Sequence, residues 1–201
     1  MNSGATSERV YDALKRRILD RAYRPGDRLD AAVIGEALNS SVTPVRDALH
    51  VLSGERLIDA RTSEGFHLPP LDAPALEDLY QWNAQVLDIA IRCWRPPPYP
   101  ALPPPLAEPA DQTAALFAAL AGRSTNAEHH QGIASLNDRL HAIRITEGEV
   151  LAGGDEERAG LLDAAEHGDG RGLRSALGRY HRQRHRHAAA IVRALYRTGR
   201  N

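Results

Sequence analysis

The distribution of proline constrains the fold of this chain more than any other feature of its sequence. Eight of the thirteen prolines fall within RPPPYPALPPPLAEP, residues 95–109. Proline fixes φ and has no backbone N–H, so this segment is expected to be an extended connector. Alternatively, this segment is a binding site for a partner protein that recognises proline-rich sequences. Pro69 and Pro70 interrupt the chain a second time and predict a linker over residues 69–73.

Bulk composition excludes several classes of protein. Hydrophobic residues make up 42% and charged residues 25% of the 201, as in a folded chain with a buried core. The net charge of -1 gives no indication of a nucleic-acid partner. No apolar run reaches membrane-spanning length, and the N-terminal residues lack a signal pattern, so export is not expected. The single cysteine, Cys93, fits a reducing compartment. We therefore expect a cytoplasmic protein.

The part before the linker begins with two helical patterns. Apolar residues recur at helical spacing over residues 7–21, at Val10, Leu14 and Ile18, which predicts an amphipathic helix. The Pro-Gly turn of RPGDRL follows. DAAVIGEAL, residues 30–38, then predicts a short second helix.

A third helix is predicted from the stretch TPVRDALHVL. Thr43 is the expected N-cap, because its hydroxyl can accept an unpaired backbone N–H, and Pro44 suits the first helical position. Arg46 and His50 lie four residues apart and share an outward face. The expected buried stripe consists of Val45, Leu49 and Leu52.

The segment RLIDARTSEGFHL, residues 56–68, predicts two short strands around a turn. Three helices followed by a hairpin are the order of elements in a winged helix-turn-helix, where the start of the second helix of the pair faces the major groove. This order predicts Thr43, Arg46 and His50 at a DNA surface. This part of the chain carries ten Arg and Lys against ten Asp and Glu, so a winged-helix scaffold that binds another protein stays open.

Three segments of this part resemble the signatures of the GntR family of bacterial transcription regulators. They are LKRRILDRAYRPGDRL, TPVRDALHVLSGERLI and SEGFHL, in order and at the family's spacing, within residues 7–68. The DNA contacts that the resemblance implies are Arg28, Thr43, Arg46 and Gly65. The family usually has an arginine directly before the Thr-Pro pair, where this chain has Val42. One donor toward DNA is therefore missing, and His50 is a candidate to replace part of it.

The remainder of the chain resembles the helical C-terminal domain, called FCD, of the family's FadR-type branch. LLDAAEHGDGRGLRSAL is similar to a late helix-turn-helix of that domain. The expected fold is thus mainly α: a winged helix-turn-helix over residues 1–68, with three helices plus a short β-hairpin, then an all-α helical bundle over residues 74–201. The resemblance implies a homodimer that binds double-stranded operator DNA and responds to a small-molecule effector. It does not imply an enzyme.

Many domains of this branch hold a divalent metal through one aspartate and three histidines. At the corresponding positions this chain has Asn126, His130, Arg158 and Tyr180, with His181 one residue further on. An arginine repels a cation and an asparagine brings no charge, so we expect no bound metal. The same five side chains predict a pocket for an effector, and the charge of Arg158 among them favours an anionic one. A decayed site in which Arg158 pairs with a neighbouring acid is equally open.

The last part of the chain leaves two further alternatives. His181 and His185, four residues apart, could be two metal ligands in a small helical metal-binding protein, although no HExxH sequence is present. Nine arginines and no acid occur from Arg171 onward. That stretch could contact DNA phosphates or the acidic residues of a partner subunit.

Overall fold

The computed structural model describes residues 3–197, with side chains from Ser7 to Arg197. The chain forms two compact units. Among the described residues, the first unit comprises 3–71 and 195–197, and the second is Asp72–Ala194. The predicted architecture is confirmed, because a winged helix-turn-helix with a small sheet is followed by a unit built from helices.

The core of the first unit is made by its three helices. The stripes predicted on the first and third helix are confirmed, since all their residues are buried. Ile34 enters the core from the second helix, whereas Val33 beside it is 64% exposed. The elements in chain order are α1 (Ser3–Leu19), β1 (Arg28–Leu29), α2 (Ala31–Ala37), α3 (Val42–Gly54), β2 (Asp59–Arg61) and β3 (Gly65–His67).

Helix α3 begins earlier than the sequence predicted. Ser41 is the N-cap residue, with an extended backbone of φ -72 and ψ 163, and Val42 is the first helical residue. The prediction that Thr43 is the N-cap is therefore wrong. Thr43 and Pro44 lie within the first turn, whose N–H groups have no partner inside the helix, so proline costs no hydrogen bond there.

The sheet has three strands in the order β1-β3-β2, one more than the predicted hairpin. In the antiparallel pairing, Arg28 of β1 lies opposite His67, and Arg61 of β2 lies opposite Gly65. A strand of two residues is too short to show alternation in sequence, which is why β1 was not predicted. Strand β1 joins the residues directly before α2 to the β2–β3 hairpin. We call this hairpin the wing.

Each helix of the first unit is followed by a non-glycine residue with left-handed backbone. These residues are Arg21 (φ 62), Asn39 (φ 50) and Arg56 (φ 62). After α3 the Leu57 N–H donates to the Leu52 carbonyl at 3.0 Å, a bond that closes a helix through a left-handed residue. Arg56 therefore occupies a position where glycine is common.

The second unit contains the remaining helices. They are α4 (Ala73–Arg92), α5 (Pro109–Gly122), α6 (Ala127–Val150), α7 (Gly154–Glu166) and α8 (Gly170–Arg197), whose last residues, 195–197, belong to the first unit. The proline-rich segment joins α4 to α5 without helix or strand over residues 95–108, as predicted. Beside it the Arg123 guanidinium lies over the rings of Trp94 and Tyr99, at 5.0 and 4.5 Å from their centroids. These contacts fix the connector to the bundle.

Candidate nucleic-acid interface and the polar interior of the second unit

One face of the first unit is a groove between the beginning of α3 and the sheet. Its volume is about 700 Å³, and three arginines line it, one from each of β1, α3 and β2. They are Arg28, Arg46 and Arg61. The groove brings together four of the five residues predicted to contact DNA, namely Arg28, Arg46, His50 and Gly65.

Arg46 and His50 reach the groove from the outward face of α3, and both are exposed. The His50 ring packs edge-on against Phe66 of the wing, with 4.9 Å between the ring centroids. That contact orients the imidazole. Among the residues that the structure describes, no carboxylate forms an ion pair with Arg46. Its guanidinium therefore has its donors available to a ligand.

Gly65 forms the floor of the groove at the start of β3. Its φ of +84 lies in the left-handed region that favours glycine. A Cβ placed on Gly65 would lie 4.0 Å from Nε of Arg28, in ordinary contact, so the positive φ rather than a lack of space is what favours glycine here. Arg61, directly opposite Gly65, forms an ion pair with Glu64 at 3.3 Å. Arg61 was not predicted, since its place in the groove depends on the strand register.

Asp30 is the one carboxylate among the residues lining this groove. It is the N-cap of α2, and its Oδ1 accepts the N–H groups of Ala32 and Val33 at 2.8 and 3.3 Å. These backbone bonds lower the pKa of Asp30, and the charges of Arg28 and Arg46 add to the effect. The Asp30 carboxylate is thus hydrogen-bonded to the backbone of α2. The groove carries an excess of positive charge, although acidic and basic residues are equal in number over the unit as a whole.

Thr43 is exposed at the second position of α3 but does not line the groove. Val42 lines it instead and is 39% exposed. The residue that stands in the place of the family's usual arginine is therefore at the wall of the groove. Its apolar side chain supplies no hydrogen-bond donor there.

The structure does not bring together the five residues predicted to bind an effector. Asn126 is the N-cap of α6, and its Oδ1 accepts the Glu128 N–H at 3.0 Å. His130 is exposed one turn later, with Nδ1 3.2 Å from the Ala118 carbonyl. The Asn126 side chain thus caps the start of α6 at Ala127, whereas the His130 ring faces a carbonyl of α5.

The other predicted effector residues lie elsewhere in the second unit. Tyr180 is 2% exposed, with its ring edge-on to Phe117. Arg158 forms an ion pair with Asp155, a pairing with a neighbouring acid such as the alternative of a decayed site expects. Of the five residues, only Arg158 lines the cavity of about 290 Å³ at the end of α6 and the start of α7. The predicted combination therefore cannot form one pocket in this arrangement.

His181 is buried and bonded within the protein. Its Nδ1–H donates to the Leu177 carbonyl at 2.8 Å, and Nε2 lies 2.9 Å from the side-chain amide of Asn83. Burial, and then the charges of Arg184 and Arg144, lower the pKa of His181 to about 3. The neutral Nε2 is thus an acceptor and needs the amide N–H₂ of Asn83 as donor. A rotation of the Asn83 amide by half a turn exchanges its oxygen and nitrogen, so that Nδ2 faces Nε2 of His181 and donates to it. Nδ2 then has the hydrogen-bond partner that it otherwise lacks.

A buried ionic network lies next to His181 and was not predicted. Glu147 of α6 accepts the Tyr80 hydroxyl at 2.7 Å and Nε of Arg184 at 2.7 Å. Arg184 also donates to Glu157 at 2.7 Å. Burial raises the pKa of Tyr80, and the neighbouring Glu147 raises it further. The sequence signal for this network was the set of charged residues at core-facing positions of α6 and α8.

Neither a metal site nor a membrane-spanning helix occurs within the described residues 3–197. No group of three or more His, Cys, Asp or Glu side chains there is arranged to hold a metal ion. None of the helices in that range is both long enough and apolar enough to cross a membrane.

The first unit is similar to known regulatory proteins. Residues 6–68 match the family model described as "Bacterial regulatory proteins, gntR family". The Nta operon transcriptional regulator of Aminobacter aminovorans is 34% identical over 70 residues, which are 35% of this chain and 33% of that protein. The uncharacterized HTH-type transcriptional regulator YdhC of Bacillus subtilis is 25% identical over 81 residues, 40% of this chain and 36% of that protein. The matched segment thus spans about a third of the length of these curated relatives.

Solved structures extend the similarity in fold to nearly the whole chain. A putative transcriptional regulator GntR from Rhodococcus sp. RHA1 has a TM-score of 0.74 at 19% identity, covering 92% of this chain and 98% of that one. McbR/YncC of E. coli has a TM-score of 0.64 at 20% identity, covering 94% and 98%. At such identities the likeness concerns the fold alone. Residues 6–68, about a third of this chain, are thus similar to the gntR family of bacterial regulatory proteins.

Proposed function

We propose that this protein is a sequence-specific DNA-binding transcription regulator that contacts its operator through α3 and the groove beside it. The observation that supports this most is the placement of Arg28, Arg46 and Arg61 around Gly65 on one concave surface. In helix-turn-helix proteins the first residues of the second helix reach base edges in the major groove. The exposed start of α3 fits that arrangement.

Arg46 is the candidate for reading bases. Its guanidinium is exposed and without an acidic partner among the described residues, so it can donate two hydrogen bonds to a guanine. His50, held against Phe66, presents a ring at the same face. Thr43, outside the groove but exposed on the first turn of α3, can donate its hydroxyl to a phosphate.

Arg28 and Arg61 are the candidates for phosphate contacts. They flank Gly65, where the missing Cβ allows a sugar-phosphate backbone to approach the wing. Each contact of this kind releases a counterion and steepens the salt dependence of binding. Val42 offers no such contact, so we expect weaker binding, or a different operator, than an arginine at that position would give.

The second unit is the proposed effector domain, of the FadR-type branch. Its helices enclose charged and polar side chains, as ligand-binding bundles do. The effector would act by linkage, because it changes operator affinity only to the extent that it binds the two states of the protein differently.

A second copy of the chain is the proposed partner of an exposed face of α4. Trp82 and Ile89 lie seven residues apart on that face and are 51% and 47% exposed. A homodimer would present two α3 helices to half-sites about 34 Å apart. Trp82→Glu should convert a dimer to a monomer in analytical ultracentrifugation. A variant that stays dimeric would contradict this choice of interface.

Fluorescence anisotropy with DNA from the promoter next to the protein's own gene, and with a shuffled duplex, tests the main proposal. Arg46→Ala should weaken binding to the promoter by about fivefold or more and binding to shuffled DNA much less, since a base contact contributes about 1–3 kcal/mol. Arg56→Ala removes the same charge from an exposed position outside the groove. It should leave the preference for the promoter unchanged.

Two results would contradict the proposal. Absence of DNA binding by the folded protein at low salt would favour the protein-binding scaffold instead. Equal losses for Arg46→Ala on both duplexes would reduce Arg46 to a phosphate contact and remove it from sequence recognition.

A further inference from the structure

Val42 is an exposed apolar residue at the wall of the groove. It is the first residue of α3 and is 39% exposed. It belongs neither to the buried core of the first unit nor to the partly buried apolar residues packed against that core. Val33 and Val51 are the other exposed aliphatic side chains among the described residues of this unit, and neither of them lines the groove. Val42 is thus the one valine of the three that lies on the candidate DNA surface.

Val42 also lies close to the residue proposed to read a base. Arg46 follows it by one helical turn and lines the same groove. Residues four apart on a helix have Cβ atoms about 5–6 Å apart, and successive base pairs are about 3.4 Å apart. When Arg46 reaches a base edge, Val42 therefore lies within one or two base pairs of that edge. Ala31 and Ala32, at the start of α2, line the groove as well, so it offers apolar surface beside its guanidinium groups.

Thymine is the base whose major-groove edge carries an apolar group. Its 5-methyl group projects there, whereas the groups that distinguish adenine, guanine and cytosine are hydrogen-bond donors and acceptors. A valine placed against donors and acceptors displaces water from them without replacing its hydrogen bonds, which is unfavourable. Against a methyl group the same side chain buries apolar surface on both partners, which is favourable.

We propose that Val42 reads the 5-methyl group of a thymine in the operator. This inference rests on the proposed function, because it requires the start of α3 to lie in the major groove. Burial of one methyl-sized group contributes about 0.8 kcal/mol, which corresponds to about a fourfold change in affinity. The contact involves no charge and releases no counterion, so it does not contribute to the salt dependence of binding.

Fluorescence anisotropy with the full chain and promoter duplexes tests the contact. In a series of duplexes, each thymidine is replaced in turn by deoxyuridine, which differs from it only by lacking the methyl group. We expect binding to weaken about fourfold at one thymidine or more. Cytosine in place of a sensitive thymine should also weaken binding. 5-Methylcytosine should then recover about fourfold relative to cytosine, because it carries the same methyl group at the same place.

Variants of two valines show whether Val42 makes the contact. Val42→Ala removes the terminal methyl groups, and because this residue is not part of the core, its Tm should stay close to that of the wild type. It should bind thymidine and deoxyuridine duplexes equally, with an unchanged slope of affinity against salt. Val51→Ala makes the same change at an exposed position of α3 outside the groove and should keep the full response. Val42→Arg should lose the response, although a new phosphate contact raises its total affinity.

The outcomes separate this inference from the proposed function. Preference for the promoter over shuffled DNA, with no thymidine whose methyl group affects binding, contradicts the Val42 contact alone. A response of equal size in the wild type and in Val42→Ala also contradicts it, since another residue or the DNA itself would then cause the response. Loss of the response in Val51→Ala as well would show an indirect effect of α3 and overturn the contact. Absence of any preference for the promoter contradicts the proposed function and this inference with it.

Discussion

His181 should make the stability of the second unit depend on pH. The side chain is 6% exposed, and its pKa in the folded protein is about 3, whereas that of an unfolded histidine is about 6.5. Because the folded pKa is depressed, the unfolded chain binds the proton first as pH falls. The contribution of neutral His181 is therefore complete above about pH 6.5 and is lost progressively between about pH 6.5 and pH 3.

The size of this loss follows from the two pKa values. At about pH 4.5, two units below the pKa of the unfolded histidine, the unfolded chain is protonated at this position and the folded chain is not. Each unit corresponds to about 1.4 kcal/mol, so the free energy of unfolding falls by about 2.7 kcal/mol. Domains are stable by about 5–15 kcal/mol, which makes this loss readily measurable.

Denaturant unfolding at about pH 7.5 and about pH 4.5 measures the effect, with tryptophan fluorescence reporting on the second unit. His181→Gln removes the titrating ring and keeps a polar group facing Asn83. It should therefore lose about 2.7 kcal/mol less than the wild type between the two pH values. Carboxylates that titrate in this interval are present in both proteins, so their contribution cancels in the comparison.

His185→Gln is the matched control, because His185 is exposed four residues further along α8. It should show the same pH-dependent loss as the wild type. If His181→Gln also loses as much as the wild type, the reasoning is refuted, since the imidazole would then gain its proton equally in the folded and unfolded chains.

Three further predictions concern the first unit. A Cβ on Gly35 would lie 2.8 Å from the Ser40 carbonyl oxygen, so Gly35→Ala should destabilise the unit by about 2 kcal/mol in circular-dichroism melts, and an unchanged Tm would contradict this. Val42→Arg should raise operator affinity about tenfold with a steeper salt dependence, whereas Val51→Arg, exposed on α3 outside the groove, should change it little. Arg56→Gly should raise the free energy of unfolding by about 0.5 kcal/mol, because glycine adopts a left-handed φ without strain; a fall in stability would show that the Arg56 side chain matters more than its backbone.

The helices of the first unit could be predicted because their signals are local. Each apolar stripe recurs within a few turns, and proline or a polar turn separates one helix from the next. What could not be predicted was the start of α3, where Ser41 rather than Thr43 adopts the N-cap backbone. Serine and threonine are similar N-cap residues, so sequence alone does not choose between two that lie close together.

The positive charge of the groove could not be read from a count of residues. Acids and bases balance over the unit, and the excess arises only because the fold places Arg28, Arg46 and Arg61 together. Arg61 reaches the groove through the β2–β3 register, and Arg28 does so through the unpredicted strand β1. Meanwhile Asp30 is engaged by two backbone N–H groups of α2. Tertiary placement, which the balanced composition conceals, therefore determines the local charge.

The prediction of an effector site in the second unit rests on positions that hold a metal in similar domains, and it takes no account of burial. On α6 the buried apolar residues Ile133, Leu136, Leu140 and Ile143 predict which face points inward. Asn137, Arg144 and Glu147 lie on that same face, at intervals of seven and three residues. A charged residue in such a position is costly unless something in the protein or bound to it compensates. Glu147 finds charged and polar partners within the bundle, whereas Arg144 donates to the neutral Asn137. Charged residues on the buried face of a helix are therefore a sequence signal for an internal polar network, and the positions taken from the resemblance do not contain it.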